Sequence, residues 1–437
     1  MLLDSPDLPI DFLLFSLMLL GIVLFSKYSL SVALSGFAAI TLHRIFADGV
    51  NGGMGLSGWI EHVGSIWVTS ANLLGLLTGC AVLTRHVEKS RLPLKLLPHL
   101  PQDWKAGPIL LMIVYVVSGY FGSIAATLVG VGLIYPIFNF KLHTSYVVGI
   151  IVAANAGGAG SVLGNLTTTM IWNEGISPMS MAYSGFATMI VFAIVAALVS
   201  PLQHAHSPIV PAVSQKVELA WRRLFIVACV MLAGSGSLVL VKLYFPLQAN
   251  KFPFAALAVW LAIAATSPLA LHDWRVMPNA FKGAIFAIAL AMSATLMPIS
   301  MMKIETWHNV FGLGFVSGVF GSIPLTELAI RQGGYDWDFF VYAVGVGGSM
   351  VWFGSPAGVA LTNLHPEVKN AVHWVKYGWP VLLGYVVGFF LLLFVFGWHI
   401  DEQPTYTMQA AAAKKAKALQ SSPVYEPPTS SPATGAE

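Results

Sequence analysis

The chain is a succession of long apolar runs separated by short polar ones. Uninterrupted runs lie near residues 10–27, 29–46, 66–84, 181–200, 222–243, 253–271, 282–302 and 377–398. Runs of roughly 17–25 apolar residues are what an α-helix needs to span the hydrocarbon core of a bilayer. Four further stretches, 107–140, 145–172, 306–334 and 339–362, are also apolar but are broken by glycines, serines and prolines. The pattern predicts an all-α polytopic membrane protein of about 10 transmembrane helices plus two re-entrant hairpins, arranged as inverted repeats. The first repeat half covers 1–200, with its hairpin near 107–140 and a broken helix near 145–172. A linker follows at 201–221, then the second half at 222–398, with a hairpin near 306–334 and a broken helix near 339–362. The Pro/Ser/Thr-rich tail, 399–437, is expected to be largely disordered.

Composition sharpens this picture. Of 437 residues, 57% are apolar and 9% charged, against about 25% charged in soluble domains. A soluble fold of this length has no means of hiding so much apolar surface, whereas membrane lipid solvates it. The net charge of +3, spread over loops, argues against a nucleic-acid partner. Cys80 and Cys229 both lie in apolar runs, which excludes a disulfide framework or a Cys-rich metal site. Asp4, Asp7 and Asp11 stand where a signal peptide wants cations, so the first run is expected to be a retained span. The sequence carries no HExxH, P-loop, GxSxG or Rossmann fingerprint. Neither an enzyme nor a cofactor is expected.

Charge also orients the chain. Arg85, Lys89, Arg91, Lys95 and Lys105 crowd one loop, while Lys216, Arg222 and Arg223 occupy another. Arg275 and Lys282 follow, then Lys369 and Lys376. All fall on the cytoplasmic side if the two hairpins each enter and leave on one face, one hairpin from each side. The tail after Trp398 then lies outside, although it carries Lys414, Lys415 and Lys417.

Two motifs recur in order. Ser118-Gly-Tyr-Phe-Gly-Ser-Ile124 returns as Ser317-Gly-Val-Phe-Gly-Ser-Ile323. Gly157, Gly158 and Gly164 return with the same spacing as Gly347, Gly348 and Gly354. In transporters built from inverted repeats, broken helices meet near the bilayer midplane and bind the solute with free backbone groups and helix dipoles. Around these glycines, Ser123, Asn155, Ser161, Asn165, Thr167, Thr168 and Thr169 offer hydroxyl and amide oxygens in the first half. Ser322, Ser349, Ser355, Thr362 and Asn363 do so in the second. Hard oxygen ligands of this kind suit a small cation or polar solute. The plainer reading is close helix packing through small residues.

AANAGGAGSVLGNLTTTMIW (153–172) and SIPLTELAIRQGGYDWDFFVYAVGVGGSMVWFGSPAGVALTN (322–363) resemble the signature segments of NhaD-type sodium/proton antiporters. These belong to the ion transporter superfamily that also holds arsenite, citrate and dicarboxylate carriers. The resemblance covers nearly everything from 60 to 398. It implies a scaffold with a mobile transport domain, elevator-like alternating access, a homodimer, and a small inorganic ion exchanged for protons. It extends to antiporter-like magnetosome proteins of magnetite-forming bacteria. That would place the chain in the bacterial inner membrane or the magnetosome membrane derived from it, removing protons released by mineral formation. The family's Asp-Asn step reads Gly122-Ser123 and Gly321-Ser322 here, and Asn165 stands where the family has Asp. A neutral amide or hydroxyl cannot lose a proton near pH 7. Another titratable group must then carry protons. An anion or neutral oxyacid substrate, or a transport-inactive scaffold, are the alternatives these departures open.

Glu327 is the candidate proton carrier, since a carboxylate in an apolar stretch is costly and functional by default. Its plain alternative is an ion pair with Arg331 one helical turn on. Glu174 is expected in a solvated loop. His143 opens a broken helix and titrates in a useful range, although an interfacial histidine without that duty is the simpler reading. His204 and His206 alone make too weak a set for a metal site. His43 and Arg44 read as a helix end at the headgroups.

Overall fold

The computed structural model describes residues 10–48, 55–209, 217–297, 306–401 and 404–409. Expectations that fall on 1–9, on 210–216 of the linker, on 298–302 of one span and on 410–437 of the tail lie outside the described residues.

Helices dominate, and no strand occurs among the described residues. The first half holds α1 (Ile10–Leu24), α2 (Ser29–His43), α3 (Gly55–Lys89) and a short α4 (Leu92–Leu96). Then come α5 (Ala106–Phe121), α6 (Ser123–Ile137), α7 (Thr144–Ala159), α8 (Leu166–Asn173) and α9 (Ala182–His206). The second half holds α10 (Trp221–Tyr244), α11 (Phe254–Thr266), α12 (Met277–Thr295) and α13 (Trp307–Phe320). It closes with α14 (Ser322–Gln332), α15 (Trp337–Gly347), α16 (Pro356–Leu364) and α17 (Ala371–Phe396). Among the described residues, six helical segments are long and apolar enough to cross a membrane, with shorter apolar helices beside them.

Two kinds of helix divide the labour. The long ones carry apolar side chains outward: α10 exposes Trp221, Phe225, Leu232, Leu240 and Leu243, and α17 exposes Val372, Val375 and Phe394. In water such a surface would aggregate; against lipid it is the cheap surface. By contrast α7 is buried from Ser145 to Ala159 and α15 from Trp337 to Gly347, without interruption. Both stop abruptly and resume as α8 and α16 after irregular segments, 160–165 and 348–355. Irregular backbone at that depth is tolerated because surrounding protein encloses it.

The turns α5–α6 and α13–α14 are each made by one glycine. Gly122 has φ 86° and ψ 151°, and Gly321 has φ 85° and ψ 155°. This region is closed to residues with a Cβ, so the repeated motif has a backbone cause. Each turn element lies on the broken helix of its own half through matching contacts. Ser118 Oγ donates to Ala154 O, and Ser317 Oγ to Val344 O at 2.8 Å. A Cβ at Gly157 would overlap Tyr115 O, and one at Gly347 would overlap Gly314 O.

The ends differ from expectation in three places. α9 runs through Pro201 to His206, so the start of the expected linker is helical. Buried Gln203 holds it there, accepting from His143 N at 2.7 Å and donating to Lys141 O at 3.0 Å. His43 and Arg44 do not merely face headgroups: both pair at 2.9 Å with Asp11, which is fully buried between α1 and α2. The tail begins with a packed segment, in which Thr405 is buried and donates to Ile330 O at 2.8 Å.

Candidate functional site

Asn155 joins the two halves. It sits in the last turns of α7, wholly buried, and its Nδ2 donates to Ser349 Oγ and Ser355 Oγ, each at 2.9 Å. Both serines belong to the 348–355 break, and Ser355 also N-caps α16, accepting from Gly358 N at 3.2 Å. The amide oxygen of Asn155 is left buried with no hydrogen-bond partner. An unsatisfied buried acceptor costs about 1–3 kcal/mol, and a cation or a donor solute would relieve that cost.

The two glycine turns close on the breaks. Ser123 N donates to Gly164 O at 2.8 Å, joining the first tip to the 160–165 break. Beside it lies a cavity of about 50 Å³ lined by Gly122, Ser123, Asn165, Thr169, Cys80 and Ser235, among others. A second cavity, of about 30 Å³, lies at the other tip between Gly321, Ser322, Gly354 and Ser355. A cavity needs only about 10–15 Å³ to hold a water; either has room for one small ion. Ser322 Oγ is buried without a partner. At each break one half-helix ends and another begins, which brings helix-end carbonyls close to helix-start N–H groups. The first favour cations and the second anions.

The remaining candidates also make bonds and contacts of their own. Asn165 N-caps α8, and Thr168 Oγ1 accepts its N–H at 3.2 Å. Thr169 Oγ1 donates to Val162 O at 2.8 Å. Thr167 is buried in the same turn. Ser161 accepts from Leu163 N within the break. Gly158 packs on the Gly164 carbonyl and Gly348 on that of Gly354. Thr362 bonds to Gly358 O in its own helix at 2.9 Å. Asn363 lies at the far end of α16, where Lys369 Nζ donates to its Oδ1 at 2.9 Å. Glu327 is paired with Arg331 at 3.0 Å, with both side chains partly exposed. His143 N-caps α7, and burial, with His206 and His373 beside it, holds its imidazole below the ordinary histidine range. Among the described residues no three His, Cys, Asp or Glu side chains gather as a metal site.

Glu174 is not in a solvated loop. It is buried and accepts from Asn250 Nδ2 at 2.9 Å and from Thr407 N and Oγ1 at 2.9 and 2.8 Å. The same tail segment bonds to Ile330 O, so it ties the outer end of α8 to that of α14. Two further clusters escaped the sequence reading. His86 Nε2 and His272 Nδ1 share a 2.7 Å hydrogen bond, with Arg223 at 3.5 Å from His86 Nδ1. A cavity of about 580 Å³ is lined by Asp336, Asp338, Asp401 and His399. Its carboxylates already accept from His399 N, Ser184 N and Ser180 Oγ at 2.8–2.9 Å. Partners 186 or 233 residues apart leave no local trace in a sequence.

No family model matches the chain. Sodium/proton antiporter 1 of Arabidopsis thaliana is 26% identical over 336 residues, which is 68% of this chain and 56% of the relative. The Na(+)/H(+) antiporter NhaD of Vibrio cholerae is 26% identical over 303 residues, 58% of this chain and 62% of that protein. NhaD of Halomonas elongata is 24% identical over 284 residues, 55% and 57% respectively. The chain thus spans little more than half the length of the curated relatives it matches. It is related to sodium/proton antiporters of the NhaD type.

Proposed function

We propose that the protein is a secondary transporter that exchanges a small inorganic cation for protons. The observation that carries this reading is Asn155, which links the two broken helices and keeps a buried acceptor oxygen free among hydroxyls and helix-end carbonyls. The relatives named above support the same class of reaction. In this reading the halves are inverted repeats and the copies pair as a homodimer. The ion sits between the tips at Ser123 and Ser322, lined by Asn155, Asn165, Ser349 and Ser355. We place the protein in the bacterial inner membrane or a magnetosome membrane derived from it, where it draws protons from the mineral compartment. This last step rests on the sequence resemblance alone.

A second reading is favoured by one feature. Four half-helix N-termini, those of α6, α8, α14 and α16, begin at neutral residues, Ser123, Asn165, Ser322 and Ser355. Uncompensated N-termini attract anions, so a small anion is the alternative substrate. One experiment separates the two. Purified protein in liposomes with a trapped pH dye is given sodium, potassium, lithium and ferrous iron in turn, with Glu327→Gln alongside. A cation-triggered pH change is expected. Its loss in Glu327→Gln would make that carboxylate the carrier; its persistence would release Glu327 to its ion pair. A flat trace for every cation from folded protein would sink cation exchange and turn the assay to anion uptake.

A further inference from the structure

Proton exchange requires a titratable group whose charge is felt at the ion site, and Asn155, Ser349 and Ser355 have no proton to lose near neutral pH. We propose that Lys369 is the proton-carrying group, through its contact with Trp352 in the 348–355 break. The inference rests on the exchange reading above.

The geometry is specific. Lys369 follows α16, and its Nζ donates to Asn363 Oδ1 at 2.9 Å and stands 5.1 Å from the centroid of the Trp352 ring. Trp352 lies midway between Ser349 and Ser355, both bonded to Asn155. Its indole is buried and stacked on Phe286 of α12, with ring centroids 5.4 Å apart and planes 19° apart. Asn363, the other partner, lies against Gly283 of α12 and bonds to Val359 O at 2.7 Å. The ammonium therefore rests on rigid groups, an amide oxygen and a π-face, both neutral.

The surrounding charges leave Lys369 without a carboxylate. His365 and Glu367 on its own loop pair with each other at 3.1 Å. Tyr135 of α6 meets His365 edge to face, with centroids 4.4 Å apart. Arg85 and Glu88 of α3 pair at 2.6 Å, and Lys282 of α12 is exposed beside Gly283. Among the described residues no acid reaches Nζ. Burial then draws its ammonium down to about 8, because desolvation penalises the charged form. The side chain is only half-buried, so the proton has a way out to water at that face.

The coupling follows from charge. Three residues of backbone separate Trp352 from either serine, at most about 10 Å. With the indole and the 5.1 Å from its ring to Nζ added, the two charges lie within roughly 20 Å, where in partly buried protein they change each other's binding by about fourfold. A cation entering the break drives the proton from Lys369 to water, and a proton returning to Lys369 expels the cation. Protonated lysine and bound cation alternate, which is exchange.

The test uses the full-length protein in liposomes, with sodium, potassium, lithium and ferrous iron as probes, and compares wild type, Lys369→Arg and Lys369→Met. Arginine keeps the charge but cannot deprotonate in this range. Lys369→Arg is expected to lose ion-driven proton movement at least tenfold. Lys369→Met is expected to pass the ion without proton movement and without pH dependence. A second readout needs no transport. Tryptophan emission of wild type minus that of Trp352→Phe should titrate near pH 8, and the same difference measured in a Lys369→Arg background should be flat. Proton movement and titration unchanged in both Lys369 variants, while wild type exchanges ions, would overturn the assignment and leave the exchange reading intact. A wild type that moves protons for no cation, and whose Trp352 emission does not titrate, overturns both.

Discussion

The two glycine tips share one backbone geometry and differ in how they are held. Gly122 and Gly321 agree within a few degrees in φ and ψ. Yet the first tip is stitched by Ser123 N to Gly164 O at 2.8 Å, and among the described residues Ser322 N makes no matching bond to Gly354. α6 beyond the first tip is buried along most of its length, whereas α14 beyond the second soon reaches the exposed Glu327–Arg331 pair. One backbone hydrogen bond is worth about 0.5–1.5 kcal/mol net. Two turns of the same conformation thus differ in anchorage, the second holding to its break by one backbone hydrogen bond fewer among the described residues.

The largest effect should ignore this difference. Gly157→Val and Gly347→Val each drive a side chain into a carbonyl of the neighbouring helix, Tyr115 O or Gly314 O. Both should cost about 3 kcal/mol or more, read as a similar fall in thermal stability in detergent. A tolerant Gly347→Val beside an intolerant Gly157→Val would show that the likeness of the halves does not reach their cores.

A smaller pair of changes sharpens the comparison. Gly122→Ala and Gly321→Ala place a Cβ in a glycine-only region at a cost of about 1–3 kcal/mol. At the stitched tip the strain has no outlet, so Gly122→Ala should lower the melting temperature further. At the freer tip the strain is relieved by opening, so Gly321→Ala should chiefly raise ion leak. Equal melting shifts with no leak would count against the difference in anchorage.

The smallest effect falls on Ser322→Ala. The hydroxyl is buried and unbonded, so its removal should change stability by less than about 0.5 kcal/mol. Ion-driven proton movement should nonetheless fall, since a hydroxyl kept without a partner in the folded protein is free for the ion. A loss of stability with transport untouched would make Ser322 a packing residue.

Hydropathy made the membrane helices legible because each one answers to its own local composition. The expected span at 222–243 lies inside α10, and that at 181–200 lies inside α9 but for its first residue. The glycine motifs were legible too, since a positive φ or a backbone crossing admits few other residues; Gly122, Gly157 and their counterparts stand at such places. What a side chain bonds to was not. Asn155 is drawn to serines 194 and 200 residues away, Glu174 to Thr407 and His86 to His272. Glu174 reads as solvated for the same reason: a carboxylate at a helix end looks exposed until a distant segment of tail covers it.

That tail sets an order of events. Thr405 and Thr407 are synthesised after α17, the last long helix, yet they join Glu174 beyond α8 to Ile330 of α14. Until that segment is made, Glu174 has Asn250 but lacks the bonds from Thr407, and Ile330 O lacks its bond from Thr405. The clasp can form only after α17 has been made, so a chain cut short before Thr405 keeps α1 to α17 but lacks this fastening.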